Sequence, residues 1–370
     1  MSNASNALSR QALRRFKKDF WGVLSFLFIV LWGLVALFAY VLAPDNSVNA
    51  NQMHLSIHSK KPGFTVKMLV IPDNTPQERS KIRQFFFGKV NNAEEKPISA
   101  YRIQDNKLII SEYTGEGNTG LEEESPLSQF PPGLSAEEVV STYIKDKKFL
   151  LGTDKYGRDL LSRILVGARI SFSIGFIAVF ISLVIGILLG AIAGYYGGRT
   201  DAFIMWIINI TWSIPTLLLV IAITLALGKG FWQVFIAVGL TMWVEVARVV
   251  RGQVMSVKEM QYVTAARALG FTDFRIVFKH ILPNIMAPVI VISAANFAAA
   301  ILIESGLSFL GIGAQPPMPS WGGMIKDHYN YIILGKPYLA IIPGLAIMSL
   351  VMAFMLMGNT LRDVLDVKNG

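Results

Sequence analysis

Six long apolar segments divide this chain into membrane-spanning and polar parts. The first covers residues 20–43, and a long polar stretch follows it. The other five are residues 171–193, 201–227, 231–250, 285–303 and 338–357. About 20 consecutive apolar residues cross the hydrocarbon core of a bilayer as a helix. The pattern therefore predicts an all-α polytopic membrane protein with six transmembrane helices.

The positions of basic residues predict the orientation of these spans. Basic residues in short loops favour the cytoplasmic side. Those of the short loops all fall on one side of the predicted spans: Arg199, Arg248, Arg251, Lys258, Arg267, Arg275 and Lys279. Both termini, residues 1–19 and 359–370, are therefore predicted to be cytoplasmic. Arg158, Arg163 and Arg169 fall on the opposite side, next to a loop too long to carry weight in this rule.

The first apolar segment is predicted to be an uncleaved anchor. A cleavable signal peptide is the alternative, but its apolar region has about 7–15 residues and ends at a small-residue cleavage site. Residues 20–43 form a longer run that ends in Ala-Pro-Asp. This segment is therefore interpreted as the first transmembrane helix.

Residues 44–150 are predicted to form a small α+β domain on the extracytoplasmic side, inserted between the first and second transmembrane helices. Apolar and polar residues alternate in residues 64–70 and 107–110, which is typical of strands. Residues 82–90 fit a short helix or an aromatic strand, and residues 115–126 are rich in Gly and Glu, which favours a loop. About a hundred residues can bury a modest core. A partly disordered insertion without a site is the alternative interpretation.

Residues 151–170 are predicted to be an amphipathic segment that lies at the membrane interface. Thr153 or its neighbour can cap a helix through residues 158–169. The candidate site residues of this segment are Asp154, Gly157, Arg158 and Asp159. No nucleophile or set of metal ligands accompanies them. A salt-bridged interfacial hook is therefore favoured over a catalytic cluster.

Small and helix-breaking residues mark several places in the predicted membrane core, residues 171–358. Four glycines thin one face of the second span for close helix packing, namely Gly175, Gly186, Gly190 and Gly194. The third span is interrupted at residues 213–215, where a proline often kinks a helix near a pathway. Residues 304–322 are predicted to be an irregular external loop that re-enters or lines a cavity. The candidate path or gate residues are Pro215, Glu304, Ser305 and Gly306.

Two pairs of ionisable residues allow alternative interpretations. His54 and His58 lie four residues apart and could bind a metal, but without a third ligand a solvated surface is favoured. Glu245 and Arg248 could pair on one helix face, or Arg248 could extend to the lipid headgroups. Glu304 could face the path, since ionisable residues near a membrane avoid lipid. It could equally be a helix-end residue in water.

Residues 247–284 are polar, basic and helix-prone, although they lie between two apolar spans. Residues 265–269 form a short helical run of small residues, and Gly270 can end it in a left-handed conformation. A second helical run, residues 273–281, is predicted to stop before Pro283. Small side chains allow another surface to approach closely. The stretch is therefore predicted to be a cytoplasmic docking element, with an ordinary amphipathic loop helix as the alternative.

Composition supports a membrane protein and excludes several kinds of chemistry. Only 16% of the residues are charged, against roughly 25% in soluble domains. The net charge is +9, yet residues 44–150 contain 13 Lys and Arg against 14 Asp and Glu. The positive excess therefore flanks the apolar segments, and no nucleic acid partner is required. There is no cysteine, hence no disulfide or thiolate, and no Gly-x4-Gly-Lys-Ser/Thr motif for ATP phosphates.

Three motifs resemble one family of transport proteins. Ala-Ala-x3-Gly followed by Ile-Leu-Pro resembles the coupling motif of permease subunits of ATP-binding-cassette importers. Its positions here are Thr264, Ala265, Ala266, Arg267, Gly270, Ile281, Leu282 and Pro283. Thr264 stands where the family has a glutamate, so this chain lacks that carboxylate. LGTDKYGRDLLSRILVGARIS (residues 151–171) and ESGLSFLGIG…QPPMPSWG (residues 304–322) resemble the C-type subunits of the dipeptide, oligopeptide and nickel group.

The resemblance implies the fold of a type I importer permease, with residues 251–283 as its coupling loop, in a bacterial inner membrane. It implies transport of peptides or a related solute such as nickel. The implied partners are a second homologous permease in a heterodimer, one or two ATPase subunits that receive residues 264–270, an extracytoplasmic solute-binding protein and membrane lipid. No cofactor is expected on this chain, because ATP and Mg²⁺ belong to the ATPase subunits. Gly270→Asp or Ala266→Arg is then expected to leave the chain inserted but uncoupled.

Two other classes of protein fit the sequence less well. A secondary transporter would need charged relays within its spans and commonly has an internal repeat. The span interiors are nearly free of charge, and no clear repeat is visible. A receptor would need a cytoplasmic output domain, and only short loops and tails remain. The sequence is therefore read as a transport subunit and not as an enzyme.

Overall fold

The computed structural model describes residues 11–72, 80–90, 93–105, 107–115, 119–228 and 230–365. The chain divides into two compact units. One, the insertion unit, contains residues 34–170 and 316–344, and the other, the membrane unit, contains the rest. Residues 1–10 and 366–370 of the predicted cytoplasmic ends lie outside the described residues.

The chain consists of long apolar helices and one sheet. The helices are α1 (Phe20–Leu37), α2 (Ala39–Leu42), α3 (Lys81–Phe87), α4 (Ala136–Tyr143), α5 (Leu160–Tyr196), α6 (Gly198–Ser213), α7 (Thr216–Leu227), α8 (Phe231–Val257), α9 (Gln261–Ala268), α10 (Asp273–Ile276), α11 (Met286–Phe309), α12 (Trp321–His328) and α13 (Tyr338–Leu365). The strands are β1 (Phe64–Ile71), β2 (Glu94–Gln104), β3 (Lys107–Tyr113), β4 (Thr119–Ser125) and β5 (Ile144–Phe149).

Five helical segments of the described chain are long and apolar enough to cross a membrane, which confirms a polytopic helical protein. The pair α6 and α7 adds a sixth span if its two halves count as one. This pair is bent by 93°, much more than the predicted kink. A residue that precedes proline avoids helical backbone angles, and Ile214 is extended at φ −94° and ψ 127°. Pro215 therefore separates two helices.

Helix α5 is one unbroken helix of 37 residues. The sequence predicted an interfacial helix up to residue 170 and a separate span after it, and this division is wrong. The stretch around residue 170 contains no proline, so nothing ends the helix there. At 1.5 Å per residue the helix is about 55 Å long, well beyond the hydrocarbon core of about 30 Å. It begins at Leu160 because Thr153 and Asp159 close a turn before it.

The second helical run of the docking segment, residues 247–284, also continues where the sequence predicted a stop. Helix α10 runs through a π turn at Val277–Ile281 and a 3-10 turn at Leu282–Ile285 into α11. Pro283 lies in this irregular part, where altered hydrogen bonding tolerates its missing N–H group. Helix α11 then continues to Phe309. The predicted external loop from residue 304 therefore begins only after residue 309.

Glycines on α5 bring this helix into close contact with α8, as the sequence predicted. A β-carbon added at Gly186, Gly190 or Gly194 would lie 2.5–2.8 Å from heavy atoms of α8. Real β-carbons do not approach so closely, because dense cores resist overpacking. Gly175 instead faces α11, where its β-carbon would lie 2.2 Å from the ring of Phe297.

Replacing Gly190 by alanine is expected to lower the thermal midpoint of the detergent-purified protein. The added methyl group meets the backbone of α8, at a cost of about 1–3 kcal/mol. Gly252→Ala on α8 is the matched control, since nothing lies within 4 Å of its added β-carbon. Equal midpoints for the two variants would contradict the close contact.

The insertion unit contains a five-stranded antiparallel sheet with the order β4-β3-β2-β1-β5. Strands β1 and β3 include both segments that the sequence predicted to be strands. Of the ambiguous residues 82–90, residues 82–87 are helical in α3 and residues 88–90 are not. The predicted loop at residues 115–126 is wrong over residues 119–125, which form β4, and its residues 116–118 lie outside the described residues. Backbone pairing with β3 holds this acidic strand on the sheet, and exposed ion pairs such as Arg102–Glu122 at 2.7 Å lie across it.

Both faces of the sheet are covered. One face packs against α4, where Leu69, Ile98 and Val139 are at most 1% exposed. On the other face Met68 and Phe149 are each 1% exposed and share a second cluster. Alternation along β1 explains this arrangement, since successive side chains of a strand point to opposite faces. The described part of the insertion is therefore an ordered structure with a core on both sides of its sheet.

The Glu95 carboxylate, whose side chain is 13% exposed, joins β2 to β5 and to the segment before β1. Lys147 Nζ donates to Glu95 Oε2 at 2.5 Å, and His54 Nε2 lies 3.3 Å from the same oxygen. Burial alone would raise the pKa of Glu95, but the His54 contact and the Lys147 charge outweigh it and hold this pKa at about 2. The predicted solvated position of His54 is wrong, because the residue is only 6% exposed.

The pKa of Glu95 predicts how the stability of the insertion depends on pH. Its folded value of about 2 lies below the ordinary 4.5. Glu95 therefore stabilises the fold fully above about pH 4.5, and this contribution is lost as the pH falls towards 2. The loss of thermal midpoint caused by Glu95→Gln is expected to be large at pH 7 and to shrink between pH 4.5 and 3.

The control for this titration is Glu122→Gln, which removes an exposed ion pair of little energetic weight. Its midpoint is expected to stay close to that of the unmodified protein at every pH. A difference between Glu95→Gln and the unmodified protein that stays constant down to pH 3 would contradict the assignment.

Candidate coupling, pathway and hook sites

Helix α9 carries the first half of the predicted coupling motif and packs one face into the membrane unit. Val263 is fully buried and Ala266 is 4% exposed. They share a cluster with Ile276, Ile281 and Ile285 from the segment that leads into α11. The Ala-Ala-x3-Gly and Ile-Leu-Pro halves of the motif therefore meet in one core.

Gly270 ends α9 in the left-handed conformation that the sequence predicted, with φ +76°. Its N–H donates to Arg267 O at 3.0 Å, and Phe271 N–H donates to Ala266 O at 3.2 Å. This pair of hydrogen bonds is a Schellman motif, which pairs carbonyl groups at a helix end. Any side chain at position 270 would be strained, since left-handed backbone favours glycine.

The opposite face of α9 is open. Thr264, Ala265 and Ala268 are exposed, and Leu269 beyond them is 73% exposed. Phe274, at the start of the next helix, is also 73% exposed. A flat face of small side chains with an apolar rim is suited to a close-packed protein contact.

Ala266 lies inside the membrane unit and not on this open face. An arginine at position 266 is therefore expected to disrupt the cluster around Ile276 itself, which differs from the simple uncoupling that the sequence suggested. Ile281 is fully buried, while Pro283 is exposed. Thr264 places its hydroxyl 3.5 Å from Met260 O, within its own helix.

Two polar contacts that the sequence did not predict hold the docking segment. Arg251 donates to both carboxylate oxygens of Asp201, at 2.5 and 2.6 Å, and so joins α8 to α6. Tyr195 Oη donates to Asp273 Oδ1 at 2.7 Å, and the Arg267 guanidinium lies 5.8 Å from the Tyr195 ring centroid. No sequence spacing marks these pairs, because their members are 50 and 78 residues apart.

The candidate path residues occupy different settings in the membrane unit. Pro215 is exposed at the bend between α6 and α7. Glu304 is fully buried within α11, where Ser308 donates to its Oε1 at 2.6 Å. Ser305 is 8% exposed and has its Oγ 3.5 Å from Glu304 Oε2. Glu304 is therefore neither a helix-end residue in water nor open to a path in this structure.

The predicted hook is a buried ion cluster of the insertion unit. Asp154 is fully buried, and Arg158 Nε donates to its Oδ2 at 2.6 Å. Arg163 Nε lies 3.7 Å from the same oxygen. The backbone N–H groups of Tyr156 and Arg158 donate to Asp154 Oδ1 at 2.8 and 3.0 Å. The structure brings Asp154, Gly157, Arg158 and Asp159 together, and the side chains of Asp154, Arg158 and Asp159 are buried within the protein.

Several distant segments converge on this cluster. Arg158 Nη1 donates to Asn51 Oδ1 at 2.9 Å. The Ser162 hydroxyl donates a hydrogen bond to Asp159 Oδ2. Gly157 has φ +73°, and a β-carbon there would lie 1.8 Å from a backbone oxygen of the segment before β1. The contacts of Arg158 with Asn51 and of Gly157 with the segment before β1 join residues more than 100 positions apart. The cluster is therefore a structural core.

Helix α12 is joined to the same turn through His328. Lys155 N–H donates to His328 Nε2 at 3.2 Å, and His328 Nδ1 lies 2.7 Å from Met324 O. Burial lowers the pKa of His328, which agrees with a neutral ring that donates from Nδ1 and accepts at Nε2. Trp321 Nε1 also donates to Ile164 O at 3.0 Å, and its ring fills the space beside Gly167.

Comparison with known proteins identifies the family to which the C-terminal half of the chain is similar. A family model described as "Binding-protein-dependent transport system inner membrane component" matches residues 186–368. The glutathione transport system permease protein GsiD of Pectobacterium atrosepticum is 42% identical over 218 residues, which cover 59% of this chain and 72% of that protein. The dipeptide transport system permease protein DppC of Bacillus subtilis is 42% identical over 243 residues, 64% of this chain and 76% of that protein.

Solved structures give a weaker match. An inward-facing structure of the MetNI methionine ABC transporter has 20% sequence identity, covers 55% of this chain and 96% of its own, and gives a TM-score of 0.44. A second MetNI structure has 18% identity and a TM-score of 0.45. Similarity at this level carries no argument here.

The apolar helices and the matched relatives define a polytopic transport protein. The chain belongs to the family of binding-protein-dependent inner-membrane transport components. It is a permease subunit of an ATP-driven importer and a multi-pass inner-membrane protein. It is not an enzyme, because ATP hydrolysis in this class belongs to a separate subunit. Residues 44–150 lie outside the matched family region.

Proposed function

We propose that this chain forms half of the translocation path of an importer for short peptides or a related small solute, such as a nickel complex. Relatives named for dipeptide and glutathione transport, at 42–44% identity, support this solute class. A second homologous permease supplies the other half of the path as a heterodimer. One or two ATPase subunits on the cytoplasmic side carry ATP and Mg²⁺, and an extracytoplasmic protein delivers the solute.

The open face of α9 is the observation that carries the coupling role. Its exposed small residues and apolar rim suit a groove on an ATPase subunit, whereas its opposite face is fixed in the core of the membrane unit. Movement of a docked ATPase would therefore reach the spans through α9 and not through a slack loop. Residues 264–270 and 281–283 are the coupling motif on this account.

Helical continuity explains how this movement could spread. The run from Asp273 to Phe309 is helical throughout and passes from the docking segment into a span. Since α8 and α11 both adjoin the same cluster around Ile281, displacement of α9 would tilt both helices. Rocking of two such permeases would open the path alternately to the two sides. Pro215, Glu304, Ser305 and Gly306 are proposed to act at bends or gates of this motion.

The orientation follows from the basic loops, with both termini and α9 in the cytoplasm. The insertion, residues 44–150, then lies outside, where it could meet the solute-binding protein. Its sheet gives it the rigidity for such a contact.

The test is purification of the native complex through a tag on this chain, followed by reconstitution into vesicles loaded with ATP. Uptake of radiolabelled dialanine that requires ATP and the binding protein is the expected result. Recovery of the chain alone, still able to drive uptake without ATP, would contradict the proposal and favour a secondary transporter.

A further inference from the structure

A cavity of about 590 Å³ opens between α8, α11 and α13 in the membrane unit. Its polar lining consists of Glu245, Gln253 and Arg362. The rest of the lining is apolar, including Val249, Val291 and Ala295. The volume lies within the range of small-molecule sites, roughly 300–1,000 Å³. A carboxylate, an amide and a guanidinium group on a wall that is elsewhere apolar are typical of a binding site and not of a packing defect.

The charged side chains of α8 differ in whether they have a partner within the chain. The Arg248 guanidinium lies 3.8 Å from the Trp212 ring centroid, and Arg251 pairs with Asp201. The pairing of Glu245 with Arg248, one of the two sequence interpretations, is therefore absent. Glu245 is exposed, and no ion pair to it occurs in the described part of the chain. A charged side chain within a span avoids lipid and usually faces a polar pathway or a partner.

We propose that Glu245 and Arg362 form a station on the path that holds the two charged ends of a zwitterionic solute. The Glu245 carboxylate would receive an ammonium group, Arg362 would receive a carboxylate in bidentate geometry, and Gln253 would bond an amide between them. This inference rests on the proposed function, because it names the chemistry of the solute for the same path. An uncharged or singly charged solute would leave Glu245 or Arg362 without its opposite charge on the solute, at a cost in affinity.

The absence of cysteine in this chain allows a direct test on the assembled complex. A single Ala295→Cys places one thiol in the cavity wall. It is treated with a cationic and with an anionic methanethiosulfonate of similar size. Glu245 is expected to favour the cationic reagent about tenfold. Glu245→Gln should remove this preference, and Glu137→Gln, at an exposed site on α4, should leave it unchanged.

Solute protection completes the test. Dialanine is expected to slow labelling at position 295 at least several-fold, whereas N-acetyl-dialanine amide, which lacks both charges, should not. Equal protection by the two compounds, or no protection by either, would contradict the proposed binding of both charged ends. Equal labelling by the cationic and anionic reagents would also contradict it. The labelling experiment does not require transport. A chain that shows the preference for the cationic reagent but imports no peptide would therefore contradict the proposed function and not the station.

The insertion unit carries a second, unrelated surface at the end of the first span. Helix α3 packs there, with Phe85 edge-on to Phe38 at 5.6 Å between ring centroids. Arg169 donates to Phe86 O, and its guanidinium lies 5.0 Å from the Tyr40 ring centroid. These contacts fix α3 against the residues that directly follow the first candidate span.

The outer face of α3 is apolar and basic at once. Ile82 is 75% exposed, Phe87 is 60% exposed and Phe86 is 42% exposed. Lys81 and Arg83 are exposed on the same short helix. Aromatic residues next to basic residues are typical of segments that lie in the headgroup layer. Continuity with the span and this charge point to one occupant, the lipid surface.

We infer that α3 inserts its phenylalanines into the adjoining leaflet, with Lys81 and Arg83 on lipid phosphates, and so holds the insertion against the membrane. The test is a bimane fluorophore on Phe87→Cys of the full chain in phosphatidylglycerol-containing vesicles. Headgroup nitroxide lipids are expected to quench it several-fold more strongly than they quench Leu121→Cys, an 87% exposed site on β4.

Quenching of position 87 by aqueous iodide alone, to the same extent as position 121, would overturn the lipid contact. Protection of position 87 from both quenchers after addition of the solute-binding protein would show a protein partner and would equally overturn it. Lys81→Glu with Arg83→Glu should reduce the lipid quenching at position 87 if phosphates are the ligands.

Discussion

Replacing Ala265 by arginine is expected to reduce ATP-driven uptake roughly ten- to hundredfold while the chain remains folded in the membrane. Ala265 is exposed on the open face of α9, so the larger side chain meets nothing within the chain itself. It would meet an ATPase groove, and overpacking of a tight contact costs about 1–3 kcal/mol, which corresponds to that loss. The measurement is solute uptake, with the thermal midpoint of the purified complex as the check on folding.

Two variants control this result. Ala265→Ser adds only a hydroxyl and should keep most of the uptake. Ala266→Arg enters the buried cluster with Ile276 and should lower the thermal midpoint together with uptake. If Ala265→Arg imports solute at the normal rate, the open face does not dock an ATPase.

Replacing Asp154 by alanine is expected to destabilise the insertion unit by about 3–5 kcal/mol, since it leaves two buried guanidinium groups without their shared carboxylate. Arg158 and Arg163 are only 4% and 5% exposed, so water cannot replace that partner. The loss is measured as the free energy of unfolding in a denaturant titration, with the protease resistance of residues 44–150 as the readout.

Glu124→Ala provides the comparison for Asp154. Its ion pair with Lys107 spans 3.2 Å, but both side chains are more than half exposed. An exposed pair contributes roughly 0–1 kcal/mol. Similar losses for the two variants would show that the Asp154 cluster does not stabilise the fold.

The sequence predicted the spans well because hydrophobicity is a local property. It located each apolar segment, the strands β1 and β3 and the left-handed Gly270. It failed to predict helix ends that depend on helix-breaking residues or on hydrogen bonds to side chains, because these are not visible in hydrophobicity. Helix α5 runs through residue 170 since nothing there breaks it, and α11 continues through Glu304 because hydroxyl groups satisfy that carboxylate.

The missed contacts are those made between distant residues. Strand β4 looks like a loop by composition, and only its pairing with β3 makes it a strand. The inward position of Ala266 depends on Ile276 and Ile281, which lie on the following helices. The burial of the hook residues involves Asn51, 107 positions before Arg158. Spacing along the chain does not encode these distances.

The most direct test of the coupling account is cross-linking from position 265 in the native membrane. The cysteine-free chain carries Ala265→Cys with a short photo-reactive thiol reagent, and mass spectrometry identifies the adduct after illumination. A cross-link to an ATPase subunit that contains a Gly-x4-Gly-Lys-Ser/Thr motif is the expected result. Adducts only with lipid or water, obtained from a complex that still imports its solute, would contradict it.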